Sequence, residues 1–174
     1  MVNSLTKEEL KKLLSAVNNS SHRLMILVGF WHGLRVSELI NLRARDIQGG
    51  YLSVQRLKGS KKTIQPFVFN ADPELSEMEG LTKLAQDLKP KAKLFDITRF
   101  GVYKLMQRAG ERAGLPPHKC HPHVLKHSIA MVMKNGKKDV KEVQEYLGHV
   151  EGKNTLVYWE TTMEQAAAGL GELL

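Results

Sequence analysis

Residues 44–68 constrain the fold most, because they are the only stretch of the sequence with the pattern of β-strands. Residues 51–54 and 63–69 are rich in β-branched and aromatic side chains, and the Lys58-Gly59 pair between them is typical of a hairpin turn. Pro66 has no N–H to donate to a neighbouring strand, which indicates that the last strand lies at an edge or ends early. The sequence therefore predicts a mainly α-helical fold with one small antiparallel β-sheet.

Helical patterns precede this sheet. One helix is predicted from about residue 21 to residue 32, and Gly33 suits the left-handed position that ends it. Ser37 is predicted to cap a short helix that follows. Arg35 would then lie at a junction between two helices, where its guanidinium can be aimed at a target.

Helices return after the sheet. Pro122 suits the start of a helix, which places His123 and Lys126 one turn apart. A further helix is predicted from about residue 139 and is closed by Gly148. A short helix near residue 158 and a tail helix over the last residues complete the predicted layout.

The composition indicates a globular protein with a polyanionic partner. The chain has 174 residues, 42% of them hydrophobic, which predicts one domain spanning residues 1–174. The net charge is +8, and residues 43–67 carry six Lys or Arg against a single Asp. Such a distribution favours nucleic acid over a membrane surface as the partner.

The cysteine content and the apolar runs bear on location. Cys120 is the only cysteine, so an internal disulfide cannot form and a reducing compartment is expected. The longest apolar stretch, residues 24–31, is too short to span a bilayer, and the first residues lack a signal pattern. We therefore expect a cytoplasmic protein without a membrane partner.

Basic and imidazole residues recur along the chain in an ordered series that ends in a tyrosine. The members are Arg35, Lys58, His123, Lys126, His149 and Tyr158. Cutting a phosphodiester needs a nucleophile, stabilisation of charge on the phosphate oxygens and a proton for the leaving oxygen. The series suggests phosphoryl transfer that needs no metal, ATP or other cofactor, because a phosphotyrosine would conserve the energy of the bond.

Each residue type suits one part of that reaction. The Tyr158 phenol is the candidate nucleophile, His123 is a plausible base for it, and Lys58 could protonate the leaving oxygen. The planar fork of Arg35 suits two phosphate oxygens, and Glu38 is expected to orient it. The remaining donors to the phosphate would be Lys126 and His149.

The order and spacing of these residues resemble the tyrosine recombinase (phage integrase) family. The matching motifs are Gly33-Leu34-Arg35-x-x-Glu38-Leu39, the hairpin Lys58, His123-x-x-Lys126, Leu147-Gly148-His149 and Tyr158 nine residues later. The resemblance implies the family's catalytic-domain fold and site-specific DNA strand exchange through a 3′-phosphotyrosine. It also implies that four protomers act on two DNA duplexes.

Two departures from the family pattern stand out. Lys126 occupies the position of an arginine, which keeps the charge and loses the two-pronged geometry. The chain also begins where the family's catalytic domain begins, so we expect the separate core-binding domain to be absent.

The tail, residues 159–174, has two interpretations that the sequence leaves open. It either folds back on its own domain or packs into an adjacent protomer, which would couple cleavage to assembly. His127 is expected to pack behind the phosphate site. Candidate contacts to the DNA backbone are Arg43, Arg45, Lys61, Lys62, Lys93, Arg99, Lys104 and Arg108.

Three other functional hypotheses remain open from the sequence. A type IB topoisomerase would share the nucleophile and the basic cluster, and a DNA-binding regulator with a decayed site would explain Lys126. The spacing of His123 and His127 on one helix would also suit zinc, with His118, Cys120 and His121 nearby. No matching ligand pair follows in the sequence, so we expect no metal.

Overall fold

Helices make up most of the described chain. The computed structural model describes residues 3–149, which contain seven α-helices and one three-stranded sheet. The helices are α1 (Lys7–Ser15), α2 (Ser20–Trp31), α3 (Val36–Asn41), α4 (Met78–Asp87), α5 (Arg99–Arg112), α6 (His123–Asn135) and α7 (Val140–Leu147). The strands are β1 (Ile47–Gln48), β2 (Tyr51–Val54) and β3 (Thr63–Pro66), and 3-10 turns occupy Ala44–Asp46, Pro73–Leu75 and Pro117–Lys119. The predicted fold class is confirmed.

The sheet is antiparallel, with strand order β1-β2-β3. Its buried face carries Leu52, Val54, Thr63 and Gln65, and its exposed face carries Tyr51 and Ile64. β3 lies at the edge and ends at Pro66, so the prediction of an edge strand that ends early is confirmed. β1 was not predicted, because two residues are too few to show an alternating pattern.

The core is built around α2. Every residue from Met25 to Phe30 is buried, as expected for a helix that other elements surround. This helix packs against α3 and α6, while α5 packs against α1 and α3. The core therefore fixes both the segment that follows α2 and the helix that carries Lys126.

The start of α3 differs from the sequence prediction. Ser37 does not cap the helix, which begins at Val36 with Arg35 as the cap residue. The Glu38 carboxylate reaches back and accepts the backbone N–H of the cap residue Arg35 at 2.8 Å, which stabilises the start of the helix without a capping hydroxyl. The Ser37 hydroxyl instead accepts a bond from Arg99 at 3.2 Å.

No helix among residues 3–149 combines the length and the apolar character that crossing a membrane requires.

Candidate active site

Arg35 lies at the junction between α2 and α3, as predicted. Gly33 makes this junction possible, because its backbone is left-handed (φ +61°) and a Cβ there would collide with Leu147 of α7. The Arg35 side chain donates from Nη1 to Glu38 Oε1 at 2.9 Å and is one-fifth exposed. The rest of its fork is therefore available to a ligand that approaches from solvent.

Glu38 holds Arg35 and the hairpin together. Its buried carboxylate accepts the backbone N–H and the side chain of Arg35, the backbone N–H of Leu57 at 3.1 Å and Arg56 Nη1 at 3.3 Å. Burial acts to raise the pKa of this carboxyl, but the Arg35 N–H, the Arg56 charge and the Leu57 N–H together bring the pKa below its usual value. Glu38 is thus an anion at neutral pH, in agreement with its expected orienting role.

Arg56 is the residue that sequence reasoning missed. Its side chain is fully buried, and its guanidinium lies against Glu38 beneath Arg35. A signal was present in the sequence, since Leu52, Val54 and Arg56 continue the alternation that points into the core. An arginine at an inward-facing position requires acceptors inside the protein.

Lys126 is the second buried cation of the site. It lies on α6 and is only 3% exposed, and its Nζ makes no hydrogen bond within the described part of the chain. Burial lowers the pKa of Lys126 to about 7, with the charges of Arg35 and Arg56 adding to the effect and Glu38 opposing it. The site therefore contains a desolvated ammonium group without a counter-ion of its own among residues 3–149.

His123 lies one turn before Lys126 and is exposed. Burial of part of its ring lowers the pKa of His123, and the charges of Lys126, His121, Arg35 and Lys58 lower it further. The imidazole is therefore neutral at pH 7 and able to accept a proton.

His127 packs edge to face against His123, with ring centroids 4.6 Å apart. Burial lowers the pKa of His127 to about 4, so it too is neutral. Within residues 3–149, no group of three or more His, Cys, Asp or Glu side chains is placed to hold a metal ion.

His149 follows directly on the end of α7. Gly148 is left-handed (φ +71°), as predicted, and the His149 N–H donates to Gln144 O at 2.9 Å. The His149 ring is buried among Lys126, Arg35 and Arg56, and burial followed by these charges lowers its pKa to about 4. A neutral His149 can donate one N–H to a phosphate oxygen but adds no charge.

Lys58 lies at the tip of the hairpin between β2 and β3. Its backbone is left-handed (φ +55°) and its side chain is exposed. The hairpin is anchored to the end of α7, because the Lys61 N–H donates to Gly148 O at 2.8 Å. The tip that carries Lys58 is thus connected to the segment that carries His149.

The eight candidate DNA contacts fall into three groups. The 42–45 segment pairs with residues 90–94 through backbone hydrogen bonds, which brings Arg43, Arg45 and Lys93 together. Arg43 is half-buried and donates to Lys91 O at 2.6 Å, so it is partly occupied by the fold. The hairpin group comprises Lys61 and Lys62, and the α5 group comprises Arg99, Lys104 and Arg108, all five exposed.

The described residues thus place five of the six predicted site residues together. The charges of Arg35 and Lys126 act on both His123 and His149, and the hairpin reaches this cluster where Arg35 Nη1 donates to Leu57 O, next to Lys58, at 3.5 Å. Tyr158 and the tail lie outside the described residues. Buried cations that face a single shared carboxylate leave excess positive charge, which suits the binding of a phosphate.

This fold is that of a tyrosine recombinase catalytic domain. The structure of the lambda integrase catalytic core superposes with a TM-score of 0.66 at 26% identity, covering 84% of this chain and 91% of that one. The XerH site-specific recombinase, in a post-cleavage complex with a palindromic difH substrate, gives a TM-score of 0.71 at 25% identity. That match covers 97% of this chain and 53% of XerH.

The sequence comparison is more specific than the fold. The model of the phage integrase family matches residues 3–165, and the chain belongs to that family. It is similar to the tyrosine recombinase XerA of Pyrococcus furiosus, with 34% identity over 173 residues. The match covers 91% of this chain but only 57% of that relative.

Proposed function

We propose that the chain catalyses site-specific DNA strand exchange through a covalent 3′-phosphotyrosine, without metal or ATP. The observation that carries this proposal is the cluster in which Arg35 and Lys126, whose Nζ has no partner among residues 3–149, act on two neutral histidines. A phosphodiester bound at this cluster would supply the counter-charge that Lys126 lacks. The named relatives are recombinases, which supports the same reaction class.

In the proposed chemical step each group has one task. The Tyr158 oxygen attacks the phosphorus, the bond to the 5′ oxygen breaks, and the strand is left joined to the enzyme through its 3′ phosphate. His123 takes the phenol proton, since its lowered pKa keeps it neutral, and Lys58 protonates the leaving oxygen. Attack by the 5′ hydroxyl of another strand reverses these steps and reseals the DNA.

Arg35, Lys126 and His149 act on the phosphate itself. They donate to the non-bridging oxygens, on which negative charge develops during transfer. Among the tyrosines of residues 3–149, Tyr146 is unsuited to nucleophilic attack, because burial raises its pKa and its hydroxyl donates to Trp31 O at 2.7 Å. Tyr158, at the family spacing from His149, is the group we assign to that role.

Double-stranded DNA with a specific site is the partner we propose, and assembly on it would be tetrameric. The tail, residues 159–174, would pack into an adjacent protomer and couple cleavage to assembly. A DNA substrate also agrees with the cytoplasmic location expected from the sequence. Sedimentation of the chain on DNA, with and without residues 159–174, would test the assembly.

The reaction can be tested with a pool of randomised DNA targets. The chain is incubated with synthetic duplexes that carry a randomised segment and a nick, so that the cleaved end diffuses away and the adduct accumulates. Denaturation followed by sequencing of the protein-linked strands identifies the cleaved site. We expect an adduct for the parent chain and none for Tyr158→Phe.

The alternatives give different outcomes in the same experiment. An adduct without sequence preference, together with relaxation of supercoiled plasmid and no strand exchange, would favour a type IB topoisomerase. Tight binding with no adduct would favour a DNA-binding regulator and contradict the proposed activity.

A further inference from the structure

The Arg56 guanidinium makes an unusually complete set of contacts for a residue outside the predicted site. All three of its nitrogens donate, to Thr63 Oγ1 (2.9 Å), Gly33 O (3.1 Å), Glu38 Oε2 (3.3 Å), His32 O (2.8 Å), Gln65 Oε1 (3.2 Å) and Tyr146 O (3.4 Å). A planar fork has five N–H groups for these six acceptors, so Nη2, which has three acceptors and two hydrogens, shares one of them; an ammonium group has only three N–H groups.

These acceptors belong to the three segments that carry the candidate catalytic residues. His32 and Gly33 precede Arg35, Thr63 and Gln65 form the far side of the hairpin that carries Lys58, and Tyr146 lies three residues before His149. The three segments are distant in sequence and reach the site from different elements. Arg56 therefore joins the supports of Arg35, Lys58 and His149 through one side chain.

The stem of Arg56 adds a packing contact to these bonds. A Cβ at Gly148 would lie 2.8 Å from Arg56 Cγ and 2.7 Å from Lys61 O, so the arginine stem and the hairpin backbone lie directly against the residue before His149. Gln65, which Arg56 contacts, donates to Tyr146 O at 2.8 Å and ties the same two elements. The position of His149 depends on this contact surface.

The charge of Arg56 also acts on Arg35 through Glu38. One oxygen of the Glu38 carboxylate pairs with Arg35 and the other with Arg56. Without Arg56, the carboxylate would be a buried anion with Arg35 as its only side-chain partner among residues 3–149. It would then hold Arg35 more tightly and compete with phosphate for the fork.

We propose that Arg56 is a positioning residue, whose buried guanidinium sets the placement of Arg35, Lys58 and His149 for attack on the phosphate. This role rests on the proposed strand-exchange function. Arg56 does not touch DNA itself, so its loss should slow the chemical step far more than it weakens binding.

Two substitutions separate geometry from charge. Arg56→Met keeps most of the stem and loses both charge and fork, whereas Arg56→Lys keeps the stem and the charge and loses only the fork. The substrate is the nicked duplex that carries the target sequence identified from the randomised pool, at saturating concentration. On this duplex we expect adduct formation to slow by about 100-fold in Arg56→Met, as for a displaced catalytic group. Arg56→Lys should be intermediate, and the Kd for the same duplex should stay within about threefold of the parent for both.

The control is a variant destabilised in the core away from the site. Leu13→Val removes one methylene from the core at α1, which packs against α5. It should lower the melting temperature and leave the rate of adduct formation unchanged. An equal rate in Leu13→Val and in both Arg56 variants would overturn the proposal, and so would failure of both Arg56 variants to fold.

A second measurement does not depend on cleavage. All variants here also carry Tyr158→Phe, and the Kd for a labelled duplex is measured for each. The loss of affinity caused by Arg35→Ala is determined once with Arg56 intact and once in the presence of Arg56→Met. If Arg56 orients Arg35, the loss caused by Arg35→Ala should shrink in the presence of Arg56→Met; additive losses would contradict the proposal. Absence of any adduct in the parent would contradict the proposed function alone, since this binding comparison would still report on Arg56.

Discussion

At the scale of single residues, the site combines groups whose functions conflict with folding. Lys126 is buried without a partner among residues 3–149, which penalises the DNA-free protein but would stabilise the phosphate that we propose it binds. An arginine would spread its charge over a fork and remain fully protonated, whereas Lys126, with a pKa of about 7, gives up its proton near neutral pH. Binding of a phosphate should restore that proton.

The cost of burying Lys126 leads to a prediction about stability. Its pKa is about 7 in the folded state and near 10.5 when unfolded, so the unfolded chain binds more protons between these values. The free-energy cost of burying the charged Lys126 is therefore greatest below pH 7 and decreases as the pH rises toward 10.5. We expect Lys126→Met to raise the melting temperature of the DNA-free chain at pH 7 by at least about 5 °C.

Calorimetry or circular dichroism over a pH series would measure this effect. The difference in melting temperature between Lys126→Met and the parent should disappear as the pH approaches 10.5. Adduct formation by the variant should be lost. Lys12→Met, on an exposed lysine of α1, is the matched control and should leave the melting temperature nearly unchanged. A Lys126→Met protein less stable than the parent at pH 7 would show that the ammonium group is compensated in the fold.

Residue spacing predicted most of the site but not its support. Arg35, His123, Lys126 and His149 were found because their order and offsets are visible in the sequence, and the structure brings them together. Arg56 was missed because its importance lies in bonds to backbone carbonyls of distant segments, which spacing does not reveal. The same limit applies to Ser37, which was predicted to cap α3. The helix begins at Val36 instead, and the Glu38 carboxylate binds the N–H of Arg35.

At the scale of elements, the junction between α7 and the hairpin is the critical contact. Gly148 closes α7 in a left-handed conformation and accepts the N–H of Lys61 through its carbonyl. A side chain there would be strained and would also press on Lys61 O and the Arg56 stem. The sequence predicted the helix end correctly, but nothing local to α7 could indicate that the hairpin packs against it.

Gly148→Ala should therefore impair the reaction more than backbone strain alone explains. Gly114→Ala is the matched control, because Gly114 is also left-handed (φ +69°) but has open space around its Cα. Both should lose about 1 kcal/mol of stability from the left-handed backbone. Only Gly148→Ala should also slow adduct formation, which is measured on the nicked duplex that carries the identified target sequence. Equal rates of adduct formation in the two variants would argue against a role for this junction.

At the scale of the whole molecule, the net positive charge bears on how the chain would bind DNA. The net charge of +8 predicts binding that weakens steeply with salt, because each neutralised phosphate releases condensed counter-ions. Arg45 and Lys62 line one open groove on the exposed face of the sheet, together with Tyr51 and Ile64. Composition predicted the polyanionic partner, whereas only the fold shows that residues far apart in sequence share this groove.

Removing one of these cations should change the salt dependence in a measurable way. We expect Arg45→Ala and Lys62→Ala each to reduce the slope of log K against log salt by about 1, if each contacts one phosphate. Lys11→Ala is the control, because Lys11 is already paired with Asp72 at 2.7 Å and Glu74 at 3.2 Å. Fluorescence anisotropy with a labelled duplex over a salt series gives the slopes. An unchanged slope in both sheet variants would place the DNA elsewhere on the molecule, away from the exposed face of the sheet.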